Sequence, residues 1–417
     1  MKIGTNNFHL TYCTNIHPGE EWSLVFANLK QYIPVLKAQL SPNKPFGIGL
    51  RLANVAANEL QGNTLNQFRS WLSEQDLYVF TLNGFPYGGF HHQVVKDRVY
   101  APDWSKKERL DYTLNLTTIL ANLLPDGIDG SISTLPLSYK PWFKDQLAQA
   151  SVKDAATIHL AQVAAQMVQI RAETGKLLHL GLEPEPDGLI ENTAEVIDYF
   201  QMHLLPVGGA YLVQHLGISR STAESYLLEH IRICYDTCHF ALEYEEPDLV
   251  FQQFKSAGIQ IGKIQISAAL RVKVPDDANQ RRQIVERLRP FAESTYLHQV
   301  IAQDINGNLH HYSDLETALP NFEYTTSAEW RIHFHVPIFI HDYQLLHSTQ
   351  EDIVSVLDLL RTNHACNHLE IETYTWDVLP KGMKLDLLAS LVREYDWVCE
   401  KASAFSHPLA VNSQRLC

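Results

Sequence analysis

The tract YDTCHFALEYEEP, residues 235–247, sets Asp236 and His239 three positions apart behind an apolar run. A carboxylate at a strand end with an imidazole one turn later could serve one metal ion or one substrate oxygen. Polar strand ends are ordinary, so the pair gains weight only from company elsewhere in the chain. Three other stretches, read beside the strand that leads into this tract, supply it. In LLHLGLEPE (177–185), Leu178, Leu180 and Leu182 share one phase of a strand, and His179, Gly181, Glu183 and Glu185 share the other. In IRICYD (231–236), Ile231 and Ile233 mark the apolar phase, which leaves Cys234 and Asp236 opposite. IGKIQIS (261–267) sets Ile264 and Ile266 against Lys263, Gln265 and Ser267, and HLEIETYT (368–375) sets Leu369 and Ile371 against His368, Glu370 and Glu372. Side chains alternate between the two faces of a strand. If the apolar phase packs outward, Glu183, Asp236, Gln265 and Glu372 aim at one mouth.

Converging like charges are costly unless a cation neutralises them. Oxygen donors with an amide or an imidazole suit Mn2+ or Mg2+, and Zn2+, Fe2+ or Co2+ are also compatible. The expected metal set is Glu183, Asp236, Gln265, His335 and Glu372, with Glu183 and Glu372 doubling as catalytic acid and base. The competing account of these glutamates is ion pairing with a barrel cation such as Arg51 or Lys263. Glu370, one step deeper, reads as structural with no partner named, and Glu185 as a loop carboxylate or a supporting group. His333 and His335 lie in phase in RIHFHVP, where two imidazoles can share a metal or hydrogen-bond in a polar layer. The expected substrate contacts are His239, His91, Asn83, Trp376 and His333. His92, His298 and Tyr374 are weaker candidates, because loop histidines and core aromatics are commoner. Glu243, Glu245 and Glu246 read as a solvated loop leading into the next helix.

These residues must be held by a scaffold, and the pattern supplies one. Eight strand-like runs (2–8, 46–53, 78–85, 130–137, 177–185, 231–236, 261–267 and 368–375) alternate with helical ones that carry apolar residues at three and four spacings. That predicts an α/β fold, a (β/α)8 TIM barrel, with long insertions after strands 3 and 7. The first insertion, 85–104, reads as a lid. The second, about 268–345, holds a charged helix, a hairpin around DINGN and a ninth strand candidate, WRIHFHVPIF (330–339). One domain over 1–400 and a loose tail over 401–417 are expected.

A formal charge of -14 over 417 residues repels a polyanion, so no nucleic-acid partner is expected. No apolar run approaches the length of a membrane span, and the amino terminus lacks the apolar core of a signal peptide, so the expectation is a cytoplasmic protein without membrane insertion. The six cysteines match neither a disulfide framework nor a zinc-finger spacing.

With these residues placed, the chain resembles the xylose isomerase-like TIM-barrel superfamily of sugar isomerases, ketose 3-epimerases and endonuclease IV-type enzymes. Over its whole length it resembles the metabolite traffic protein EboE family, through NGFPYGGFH, LGLEPEPDG, YDTCHFALEYEEP, HFHVPIF and LEIETYTWDVLP. The resemblance implies that Glu183, in an LEP strand end, and Asp236, in Asp-Thr-x-His, bind a metal. It implies that His239 contacts substrate and that Glu372 ends the last strand as a ligand. Where the epimerases carry a histidine ligand on the seventh strand, this chain has Gln265. His333-x-His335 echoes a pair found after that strand in endonuclease IV-type members, and it could restore the imidazole. The leading expectation is a divalent-metal isomerase or epimerase of a sugar-like or polyhydroxylated small molecule, in secondary-metabolite precursor processing or traffic. The alternatives are a metal-dependent phosphoester hydrolase and a non-catalytic metabolite-binding barrel.

Overall fold

The structure is a computed structural model that describes residues 1–4, 8–91, 93–379 and 386–403. Eight parallel strands form the barrel: β1 (Phe8–Tyr12), β2 (Phe46–Arg51), β3 (Leu77–Asn83), β4 (Gly130–Thr134), β5 (Leu178–Leu182), β6 (Ile231–Asp236), β7 (Ile261–Ile266) and β8 (His368–Ile371). Their ladders run in the order β1, β8, β7, β6, β5, β4, β3, β2. Between β1 and β2 the regular ladder gives way to a single Cys13–Gly49 bridge and to side chains. Thr11 Oγ1 donates to Gly47 O at 3.0 Å and accepts from Gly49 N at 2.7 Å, and Thr14 Oγ1 accepts from Arg51 N at 2.9 Å. Two hydroxyls thus close the barrel where backbone pairing lapses.

Every residue of these eight strands is buried, as parallel strands covered by helices require. The outward leucines and isoleucines pack beneath helices such as Lys107–Leu123, Gln146–Thr174 and Pro247–Ser256. The inward phase is polar and pairs with itself. Lys263 bonds Glu370 and donates to Ser133 Oγ at 3.1 Å, and Ser131 Oγ donates to Thr81 Oγ1 at 2.7 Å. The structural role expected of Glu370 is the one observed.

The first strand departs from expectation. The chain pairs Lys2–Ile3 antiparallel with β1, Gly4 turns at φ 67°, and the barrel strand is FHLTY rather than KIGTNNF. Lys2–Ile3 find only an antiparallel edge, because Phe8–Tyr12 takes the parallel place beside β8. The ninth candidate is resolved as well. Glu329–Val336 belongs to a second, six-stranded antiparallel sheet, with Leu309–Tyr312, Val300–Gln303, Ala268–Lys273, Leu346–Ser348 and Asp342–Tyr343. Ala268–Lys273 escaped notice because only Ser267 separates it from β7. The loop carboxylates are less solvated than expected: Glu245 accepts from Thr193 N and Oγ1, and burial pushes Glu243 up to about 8. The expected tail boundary also moves, since the last helix runs Leu387–Ser403, and 404–417 lie outside the described residues. No helix among the described residues is long and apolar enough to cross a membrane.

The buried titratable groups predict a two-sided pH profile of stability. Burial holds His9, His17 and His179 at about 3 against an ordinary 6.5. The fold keeps them neutral while the unfolded chain takes protons below 6.5, so their contribution is lost as pH falls. Burial raises Glu243 and Glu394 to about 8, which keeps them protonated in the fold, so their contribution is lost as pH rises from 4.5 to 8. The two sets partly cancel between 4.5 and 6.5. Below that window the histidines act without that opposition, each at up to about 1.4 kcal/mol per pH unit, and Glu293, which burial would raise but His298 and Thr295 hold at about 2, adds to the loss. Thermal midpoints should therefore peak in the window and fall steeply below pH 4.5; a midpoint that climbs steadily from pH 4 to 8 would contradict this.

Candidate metal centre

Glu183 follows β5, Asp236 ends β6 and Glu372 follows β8, and an oxygen from each lies within 4.8 Å of the other two. All three side chains are buried. Asp236 caps the short helix Thr237–Leu242: its Oδ1 accepts from Cys238 N at 2.8 Å, from His239 N at 3.3 Å and from the Ser267 hydroxyl. That fixes the carboxyl group and leaves Oδ2 with no protein donor, as is Oε2 of Glu183. Glu372 is held differently. Its Oε1 accepts from Asn15 Nδ2 at 2.8 Å and Asn83 Nδ2 at 3.1 Å, and its Oε2 accepts from Gln265 Nε2. Gln265 Oε1 in turn accepts the Cys234 thiol at 2.8 Å. This departs from the expected amide-oxygen ligand, because the amide nitrogen, which has no lone pair to give, is the end turned toward Glu372.

The imidazole comes from outside the barrel. Strand Glu329–Val336 pairs with Ala268–Lys273 at Ile332–Leu270 and again at Val336–Ala268, so His333, Phe334 and His335 bulge opposite Ala269. The bulge turns both histidines toward the mouth, a known use of such irregularities beside active sites. His335 donates Nδ1–H to the Glu372 carbonyl at 2.7 Å, which fixes the tautomer and leaves Nε2 as a lone pair without a partner. Ligand atoms of His335, Asp236 and His239 also lie within 4.8 Å of one another.

Glu185, His239 and His333 form an adjoining group of the same compactness. Gln299 Nε2 donates to Pro186 O at 3.1 Å, so its Oε1 is an acceptor for His333 Nδ1–H at 2.8 Å. His333 Nε2 is then the acceptor for His239 Nε2, 3.1 Å away. Burial lowers His239 to about 4 despite Asp236, and drives His333 well below its usual value. Burial raises Glu185 to about 8, and it raises Glu183 well above the carboxylate range, helped by Glu372, Asp236 and Glu185. Glu372 is raised by burial and by Asp236. Burial works to raise Asp236 too, but His239, His335 and the Ser267 hydroxyl outweigh it and hold Asp236 below its ordinary value. Apart from the ion pairs beneath it, this is an acidic floor facing imidazole lone pairs.

Over the floor lies a cavity of about 70 Å³ lined by Asn83, Glu183, Glu185, His239, His333, His335 and Glu372, among others. Of the expected substrate contacts, Asn83, His239 and His333 reach it. His91 does not line it and packs its ring edge-on against Phe90 at 5.3 Å. Trp376 is buried in the core, and His298 is tied to His333 O and Glu293. His92 lies outside the described residues. Sequence reasoning missed Asn15, Gln299, Tyr100 and Tyr296. Asn15 follows β1, so the misplaced first strand hid it; the other three sit in the lid and the insertion, where no periodicity indicates direction.

Lid and insertion meet over the cavity. Val95 N and Lys96 N donate to Thr295 O at 2.8 and 3.0 Å, Tyr296 OH donates to Phe90 O at 3.1 Å, and Lys96 Nζ pairs with Asp314 at 2.6 Å. Loss of this half-buried ion pair in Lys96→Ala should cost no more than about 1 kcal/mol. Amide exchange over 90–100 should then quicken by up to about fivefold with the barrel strands unaffected; unchanged exchange there would show that the pair does not hold the lid.

No family model and no curated protein sequence matches the chain. Solved structures do. A xylose isomerase-like TIM barrel protein from Mycobacterium smegmatis, in complex with magnesium, is 9% identical with a TM-score of 0.50, over 96% of this chain and 98% of its own. IolI, with a bound zinc atom, is 11% identical (TM-score 0.46, 98% and 100% coverage). The probable 3-DHS dehydratase AsbF from Bacillus anthracis is 11% identical (TM-score 0.42, 93% and 96%). The chain shares the TIM-barrel fold of the Mycobacterium smegmatis protein.

Proposed function

We propose that the chain is a divalent-metal-dependent isomerase or epimerase acting on a small polyhydroxylated carbonyl compound. One observation carries this reading: Glu183 Oε2, Asp236 Oδ2 and His335 Nε2 are buried without protein partners at the mouth that Glu372 shares. Three carboxylates and one imidazole fit a divalent cation such as Mn2+, Mg2+, Zn2+ or Co2+. Glu183, Asp236, His335 and Glu372 would hold it. Bound there, the ion would polarise a carbonyl and hydroxyl pair. Glu183, giving Oε2 to the ion, would move the proton at the substrate carbon with its other carboxyl oxygen. Glu372, pinned by Asn15, Asn83 and Gln265, keeps one geometry and faces the other side of the substrate. His239, whose Nε2–H is given to His333, turns its bare Nδ1 to a substrate hydroxyl as an acceptor, and the closed lid excludes water. The resemblance to the metabolite traffic protein EboE family supports a substrate drawn from secondary metabolism.

The test is Mn2+ titration with a turnover screen on free aldoses and ketoses. One ion per chain, isomer interconversion, and loss of turnover in a folded Glu183→Gln variant are expected; full turnover in that variant would overturn the assignment. The group Glu185–His239–His333 favours a second reading, a phosphoester hydrolase with more than one ion. Two metal equivalents and phosphate release would select it. The non-catalytic barrel rests on Gln265 in place of a histidine ligand; on the metal-dependent reading His335 would supply that imidazole instead.

A further inference from the structure

Above the acidic floor the cavity wall is aromatic. Phe90 from the lid, Tyr296 from the insertion and Tyr374 from the loop after β8 meet with ring centroids 5.1 Å (Phe90–Tyr296), 5.4 Å (Phe90–Tyr374) and 5.1 Å (Tyr296–Tyr374) apart. All three line the cavity, and Phe85 and Tyr100 extend the same wall. Three chain segments far apart in sequence converge to build it, so the wall exists only with the lid closed. A wall of this kind offers a bound ring a large apolar surface with specific geometry.

Size and charge narrow what can sit there. At roughly 10–15 Å³ per water, a cavity of about 70 Å³ holds about five waters, which is the room one small ring and its substituents need. Glu183, Glu185 and Glu372 line it with Asp236 beneath, so a ligand's oxygens meet carboxyl groups rather than cations there. Among the described residues Lys96 is the only lysine or arginine lining the cavity, and it is engaged by Asp314. Beyond one divalent ion, a dianionic phosphate would find no free lysine or arginine among the described residues of this lining to offset it.

We propose, on the metal-dependent reading above, that the site takes an uncharged one-ring hydroxy-carbonyl compound with an apolar ring face. Its oxygens point to the carboxylate floor and its ring packs on Phe90, Tyr296 and Tyr374, which set specificity. Phosphorylated sugars are excluded and free sugars bind weakly.

Three probes test this with the Mn2+-loaded full chain: 2-hydroxyacetophenone, fructose and fructose 6-phosphate. Binding is read by thermal shift and by Mn2+-induced broadening of the ligand protons. The aromatic ketone should bind at least about tenfold tighter than fructose, and the phosphate most weakly. Tyr374→Leu and Phe90→Leu should remove most of that preference, weakening the ketone far more than fructose, and Tyr374→Phe, which keeps the ring, should retain it. Tightest binding of fructose 6-phosphate, equal loss for all probes in the leucine variants, or no ketone binding at millimolar concentration would overturn the proposal. Mn2+ affinity measured without ligand judges the underlying reading separately. If no Mn2+ binds yet the thermal shift keeps the ketone preference, the metal assignment fails and the aromatic specificity stands.

Discussion

His335→Ala should lower the affinity for Mn2+ or Zn2+ by at least about a hundredfold, more than Gln265→Ala, which should cost roughly 10–100-fold, the range for losing an outer partner of a ligand. The reason lies in which atoms face the mouth. His335 presents a bare Nε2 whose ring is fixed through Nδ1 on the Glu372 carbonyl, whereas Gln265 presents an amide nitrogen to Glu372 and spends its oxygen on Cys234. Removing His335 therefore deletes a donor atom, while removing Gln265 only loosens Glu372, which Asn15 and Asn83 still hold. Calorimetric titration of both variants decides the matter. The reverse ranking would return Gln265 to the ligand set and make His335 a structural residue.

Lys263→Met should destabilise the chain by about 3–5 kcal/mol, because it leaves Glu370 as a buried charge without its cation. Lys263 and Glu370 are almost inaccessible, with side-chain exposures of 1% and 0%, and they lie one layer beneath the metal candidates. Nothing else can take over easily. A β-carbon placed on Gly49 would come within 1.9 Å of Glu370 Oε1, which shows how tightly that carboxylate is enclosed. Replacing both partners by apolar groups in Lys263→Met/Glu370→Leu should recover most of the loss, since the desolvation cost then disappears with the charge. Denaturant unfolding at neutral pH measures both, and a single variant as stable as the parent would show that Glu370 has another partner.

Much of this was legible because strand parity is a strict rule. It placed Glu183, Asp236 and Glu372 on the inward face, and it separated Glu370 from Glu372 by depth, since residues two apart share a face but not a layer. Parity also put His333 and His335 on one side of their strand. It could not say what that side met, because the bulge opposite Ala269 and the docking of the second sheet over the barrel are tertiary events with no local signature. The first strand failed for a plainer reason: KIGTNNF and FHLTY both carry strand-forming residues, and only the second finds a parallel neighbour. That slip of six residues concealed Asn15, which donates to Glu372 across 357 positions.

The arrival of His335 from the second sheet has a consequence for how the molecule is made. During synthesis the acids of β5 and β6 emerge first, the histidine roughly a hundred residues later, and Glu372 close behind it. Until the last two have come into place, the nascent chain holds an open acidic rim with nothing to complete it. If the mouth takes an ion as proposed, its capture would come only late, after the sheet has settled on the barrel, so it would report that assembly is finished and reward the correct topology over partly built ones.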